Sequence, residues 1–137
     1  MNKGELLAHT KSFGLRIVNL VDHLPRTMSA RAIGNQLVRC ATSVGANYRA
    51  ACRWRSRAEF AAKLGIVAEE ADETVYWLEL LRDANLLSEE KLAESLREAN
   101  ELTAIFTAGR RSSSRTQTSN IKHQTSNLKP QTSYIPS

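Results

Sequence analysis

The stretch from Gln36 to Leu81 contains no proline and only two glycines, Gly45 and Gly65. Its apolar residues recur at helical spacing, which predicts helices with apolar stripes that must be buried against one another. The same stretch divides by charge. Between Arg26 and Arg57 there are seven arginines and no acid, and between Glu59 and Glu101 twelve acids face four bases. A basic helix followed by acidic ones offers surfaces that suit charged partners, either another molecule or another copy of the chain.

Four helices follow from the breaks in this pattern. The first is expected from about Glu5 to His23, with Phe13, Ile17, Leu20, Val21 and Leu24 as its apolar stripe, and Leu24-Pro25 ends it. The second is expected from about Ser29, as N-cap, to Trp54. Ser56-Arg57-Ala58-Glu59 has the form of a capping box and opens a third helix that runs to about Asn85. Ser88 caps a fourth, with Glu89 and Glu90 in its first turn, and Gly109 stops it after Ala108. No segment alternates with a period of two, so the fold class is all-α. Short connections make it an antiparallel up-down four-helix bundle over residues 1–109.

Residues 110–137 differ in kind. They are rich in Ser, Thr, Gln and Asn, hold no acid, and carry a seven-residue repeat that starts at Gln117, Gln124 and Gln131. One apolar residue per repeat cannot offset the ordering entropy, and a coiled coil needs two, so this basic tail is expected to be disordered. The charges of residues 1–109 balance, and the net +5 of the chain lies in the tail. A pI near 9.6 is therefore weak evidence for nucleic-acid binding.

Several classes of function are disfavoured. No apolar run suits a transmembrane helix, and no basic region followed by an apolar run marks a signal peptide, so a cytoplasmic protein without membrane association is expected. Cys40 and Cys52 on one helix would stand about 18 Å apart, beyond the roughly 7 Å a disulfide spans. Two cysteines without nearby histidines do not make a zinc site. The carboxylates of the third helix lack the Glu-x-x-His pairs of bundle di-metal sites, and no phosphate loop or nucleophile motif is present. No cofactor, metal or catalytic residue is assigned.

Helical projection at about 100° per residue places Arg31, Arg39, Arg49, Arg53 and Arg57 on one stripe of roughly 80°, if the second helix stays regular through Trp54. Spaced arginines with amide and hydroxyl neighbours suit a phosphate backbone. They equally suit pairing with the acidic third and fourth helices, within a subunit or between subunits. The third helix carries two apolar stripes. One holds Phe60, Leu64, Val67, Ala71, Val75 and Leu78, and the other Ala62, Ile66, Trp77, Leu80 and Ala84. The second makes Ile66, Trp77 and Leu80 a candidate oligomer interface, unless the helix is central and buries both faces in its own bundle.

Gln36-Leu37, Arg39, Thr42-Ser43-Val44-Gly45-Ala46-Asn47, Ser56, Phe60, Lys63-Leu64, Glu69-Glu70-Ala71, Glu73-Thr74 and Tyr76-Trp77-Leu78 form a collinear, gap-free block. With Phe13 and Ile17-Val18 on the first helix, the block resembles the four-helix-bundle proteins encoded in intervening sequences of bacterial large-subunit ribosomal RNA genes. The resemblance covers about residues 5–108. Many members carry Glu where this chain has Ala50-Ala51, which leaves the second helix here more purely basic. The resemblance implies a ring-like homopentamer without known catalysis. It also relates the chain to the accessory protein of diversity-generating retroelements, which works with a reverse transcriptase and RNA. The expectation is thus a non-enzymatic homo-oligomer that binds RNA or DNA through the arginine stripe. The alternative is a structural or protein-interaction oligomer whose subunits answer one another's charges.

Overall fold

A computed structural model describes the backbone of residues 1–128 and the side chains of residues 1–114. The elements are four helices: α1 (Lys3–Val21), α2 (Met28–Ala51), α3 (Arg57–Asp83) and α4 (Glu89–Leu128). Each start has a side-chain cap. The Asn2 carboxamide oxygen accepts from the Glu5 amide at 2.8 Å, and its NH2 donates to the Glu5 carboxylate. Ser56 Oγ accepts from the Glu59 amide at 3.1 Å, as the capping box predicts, and Ser88 Oγ accepts from Lys91 N at 3.3 Å. The second helix is capped by Thr27 rather than Ser29. The backbone at Thr27 is extended just after Pro25-Arg26, and its hydroxyl oxygen accepts from Ala30 N at 3.2 Å.

The ends also have local causes. The α3 C-terminus is a Schellman turn: Leu86 N donates to Leu81 O and Asn85 N to Arg82 O, both at 3.0 Å, with Asn85 left-handed at φ 56°. Helix α2 stops at Ala51, three residues before the expected end, because Arg53 N and Trp54 N donate to Ala50 O and Ala51 O in tighter turns. The end expected at Gly109 is absent. Gly109 keeps helical backbone beside Leu64, and α4 remains helical to Leu128. Glycine without a left-handed φ does not stop a helix. The boundary drawn at residue 109 is therefore not a helix end. Residues 129–137 of the expected tail lie outside the described residues.

The helices form an antiparallel up-down bundle in which α3 packs between α2 and α4 and α1 packs on α2. Helix α1 meets α4 much less, and that thin seam is braced by polar contacts. Arg16 lies 2.7 Å from Glu98 and 3.2 Å from Glu94, and His9 lies 3.6 Å from Glu98. The core is one cluster, with Phe13 and Ile17 from α1, Leu37 and Val44 from α2, Val67 and Leu78 from α3, and Leu92, Leu102 and Phe106 from α4. Tyr48 reaches diagonally across it to Phe106, with ring centroids 5.2 Å apart. A glycine sets the α1–α2 distance, since a Cβ at Gly45 would stand 3.3 Å from the Thr10 carbonyl oxygen.

Burying Phe13 completely, while Leu15 two residues later stays 58% exposed, fixes which face of α1 carries the fold. Phe13→Ala is expected to cost about 3–5 kcal/mol in urea unfolding, and Leu15→Ala less than about 0.5 kcal/mol. Equal losses would mean that α1 is not docked through this face.

Candidate functional site

The structure does not leave the five stripe arginines in one environment. Arg31 lies beside the α1–α2 loop, lining a cleft with Arg26 and Asn35. Arg49 follows eighteen residues later on the same helix, which places it about 27 Å away along the axis. Arg39, midway, faces α3: its guanidinium is 2.6 Å from Glu73 and 3.6 Å from Glu70. Arg57 is the first residue of α3 and not a continuation of α2. The premise of a regular helix through Trp54 fails, and the stripe is a set of separate positions.

What replaces it is a concentration of cations at one end of the bundle. Antiparallel packing brings the start of α1, the end of α2 and the start of α3 together. Between α1 and α2 a groove of about 690 Å³ is lined by Lys3, Leu7, Lys11, Leu15, Val18, Ala46, Arg49, Cys52 and Arg53 among others, with no acid in its lining. Arg55 and Arg57 follow Arg53 around the exposed α2–α3 loop. Arg110 of α4 arrives at the same end. Its side chain crosses α3 at Gly65, where a Cβ would meet Nε at 3.2 Å. Lys3, Lys11, Arg49, Arg53, Arg55 and Arg57 make no ion pair among the described residues. The acids nearby in sequence are Glu5, held by the side chain of Asn2, and Glu59 of the capping box.

Lys3, Lys11, Arg55 and Arg110 lie at this end of the bundle but off the arginine stripe. Their signal lay in topology rather than in any local motif: each end of an up-down bundle collects one terminus from every helix.

The expected oligomer interface is only partly open. Ile66 is 41% exposed, whereas Trp77 is half-buried against the core of its own bundle and Leu80 is half-buried on the same helix. Trp77 Nε1 donates to Glu73 Oε1 at 3.4 Å and its ring meets Tyr76 edge-on at 5.0 Å. Tyr76, 56% exposed, is a further large side chain beside Trp77 and lies outside the two apolar stripes.

Elsewhere the chemistry is structural. Both cysteines are free, and Cys40 is buried; burial raises its thiol pKa against the lowering effect of Thr74, which donates to its sulfur at 3.3 Å. Burial, together with Cys52, pushes the Tyr48 hydroxyl up to about 12, so it stays protonated. Among the described residues no three His, Cys, Asp or Glu side chains form a group that could hold a metal, and no helix is long and apolar enough to cross a membrane.

The family model of the 23S rRNA-intervening sequence protein matches residues 3–108. The chain belongs to this family. A crystal structure of a protein of unknown function from the S23 ribosomal protein family of Bacteroides thetaiotaomicron is similar to it, with 32% identity and a TM-score of 0.74 over 81% of this chain and 99% of that one. No curated protein matches. Within the intervening-sequence family the bundle is thus the shared part, and the match stops at residue 108, near the point where α4 leaves the core.

The Arg39 brace has one testable weakness. Burial, reinforced by Glu73, raises the Glu70 carboxyl pKa above 4.5 despite Arg39, and Glu70 Oε2 is buried without a hydrogen-bond partner. The folded state therefore holds this proton at pH values where the unfolded chain has released it, so the group loses stability as pH rises above 4.5. Glu70→Gln should raise the unfolding midpoint at pH 7, and the gain should vanish below pH 4.5. A gain independent of pH would refute this assignment.

Proposed function

We propose that this intervening-sequence family member is a non-enzymatic, homo-oligomeric nucleic-acid-binding bundle, with RNA as its main ligand, that works through the basic end of the bundle. The observation that carries the reading is the gathering of Lys3, Lys11, Arg49 and Arg53 on one groove without an acid, continued by Arg55 and Arg57. Cations grouped in this way, without an ion pair among the described residues, neutralise successive phosphates and release counterions. Arg39 contributes little, since Glu73 and Glu70 already hold it. Arg31 contributes through a separate cleft.

Oligomerisation supports the same reading. Ile66 and Tyr76 leave apolar surface open on α3, beside the partly covered Trp77 and Leu80, and a second copy covers such a face at little cost. A closed ring, five-membered by family resemblance, repeats the basic end and turns a weak site into avidity.

A second reading rests on the exposed acids Glu69, Asp72 and Glu79 of α3. In it these acids pair with the basic end of a neighbouring copy, and nucleic acid plays no part. Salt separates the two readings, because pairing between copies predicts dissociation of the oligomer as salt rises.

The decisive comparison is RNA binding by the wild-type chain, Arg49→Glu/Arg53→Glu and Arg39→Glu, at several salt concentrations. The double variant should lose retention at low salt and reduce the slope of log K against log salt by about two. Arg39→Glu should bind nearly as the wild type does. Unchanged binding by the double variant would reject the site.

A further inference from the structure

The α2–α3 loop reads Arg53-Trp54-Arg55-Ser56-Arg57, and its one large apolar side chain is left out of the core. Trp54 is 48% exposed, while Trp77, the other tryptophan, is packed against the bundle. An indole in this position has a large flat face in water with an arginine on either side in sequence and a third two residues further on. We propose that Trp54 is a base-stacking platform, and that the ligand of the basic end is single-stranded nucleic acid with unpaired bases.

The inference rests on the nucleic-acid reading above and narrows its substrate class. Cations alone do not distinguish duplex from single strand, because both present phosphates. An exposed aromatic face does. In a duplex the base faces are already stacked on one another, whereas an unpaired base has a free π-face that gains from lying on an indole. Arg53 and Arg55 flank that face closely enough in sequence to hold the phosphates on each side of a stacked nucleotide. This pairing of aromatic and guanidinium groups is the general chemistry of single-strand grooves.

The loop presents the indole with little freedom to lose. Arg53 N donates to Ala50 O at 3.0 Å and Trp54 N to Ala51 O at 3.1 Å, so the chain is still turning as it leaves α2. Two residues later Ser56 is already the N-cap of α3. The indole is thus held between two helix ends, and binding does not have to order a long loop. The groove with Lys3, Lys11, Arg49 and Arg53 begins at the same loop, which gives the strand a charged path away from the stacked base. An exposed tryptophan can also anchor a protein contact, and the experiment has to tell these occupants apart.

The test uses the full chain and two probes, a mixed-sequence RNA single strand and the duplex it forms with its complement, at low salt. Trp54→Ala should weaken single-strand binding about 5- to 150-fold and leave duplex binding within about twofold. Trp54→Phe should keep most of the affinity, and the slope against salt should stay that of the wild type. Indole fluorescence of the wild type should be quenched by the single strand, and this change should be lost in Trp54→Ala. Because Trp54 lies outside the core, the melting temperature should not move. If Trp54→Ala binds the single strand as wild type while Arg49→Glu/Arg53→Glu does not, the stacking role is overturned and the nucleic-acid reading stands. Equal weakening for both probes also overturns it. A change in oligomer mass with unchanged RNA affinity would instead assign the indole to a contact between protein subunits. If the wild type retains neither probe, the underlying reading itself fails.

Discussion

The constraint on which this structure depends is the shortness of its connections. Five residues or so between successive helices leave room only for antiparallel neighbours, so the chain must run up and down. That topology collects the start of α1, the end of α2, the start of α3 and the body of α4 near Arg110 at one end. Residues far apart in sequence, Lys3 and Arg53 among them, then line one groove. The charge split along the sequence becomes a division along the length of the bundle, and only partly one between faces.

Packing energy and polar bracing have separate places. The buried cluster of Phe13, Ile17, Leu37, Val44, Leu78 and Phe106 supplies the driving force, at roughly 1.5–3 kcal/mol for each large side chain buried. Where the helices meet only thinly, at α1 and α4, Glu98 is 7% exposed and accepts from Arg16 at 2.7 Å. Between α2 and α3 the Arg39–Glu73 pair plays a similar part across a half-exposed boundary. These pairs fix which faces meet more than they add stability. They also hold Arg16 and Arg39 in ion pairs, whereas the cations of the groove and the α2–α3 loop make none among the described residues.

Much of the fold was legible in the sequence because local rules act locally. The Ser56 capping box, the Ser88 cap, the end of α1 before Pro25 and the buried stripe of α3 depend on neighbours within a turn or two. The failures have the same physical explanation in reverse. Thr27 won the cap from Ser29 because the backbone leaving Pro25 and Arg26 is extended at Thr27. Gly109 did not stop α4 because its backbone does not turn into the left-handed region that a helix-ending glycine adopts. The five stripe arginines do not share one surface because a helical projection ignores what packs beside the helix: α3 claims Arg39, and the turn after Ala51 redirects Arg53. Lys3, Lys11 and Arg110 could not be read as site members without the topology.

In the proposed function, nucleic acid lies on the end of the bundle built from the start of α1, the end of α2 and the loop to α3. The most direct measurement is ultraviolet crosslinking of the full chain to single-stranded RNA, followed by mass spectrometry of the crosslinked peptides. Crosslinks are expected in the peptides that contain Lys3 and residues 49–57. Crosslinks confined to the opposite end, around Arg82 and Lys91, or to residues beyond Arg111, would contradict it.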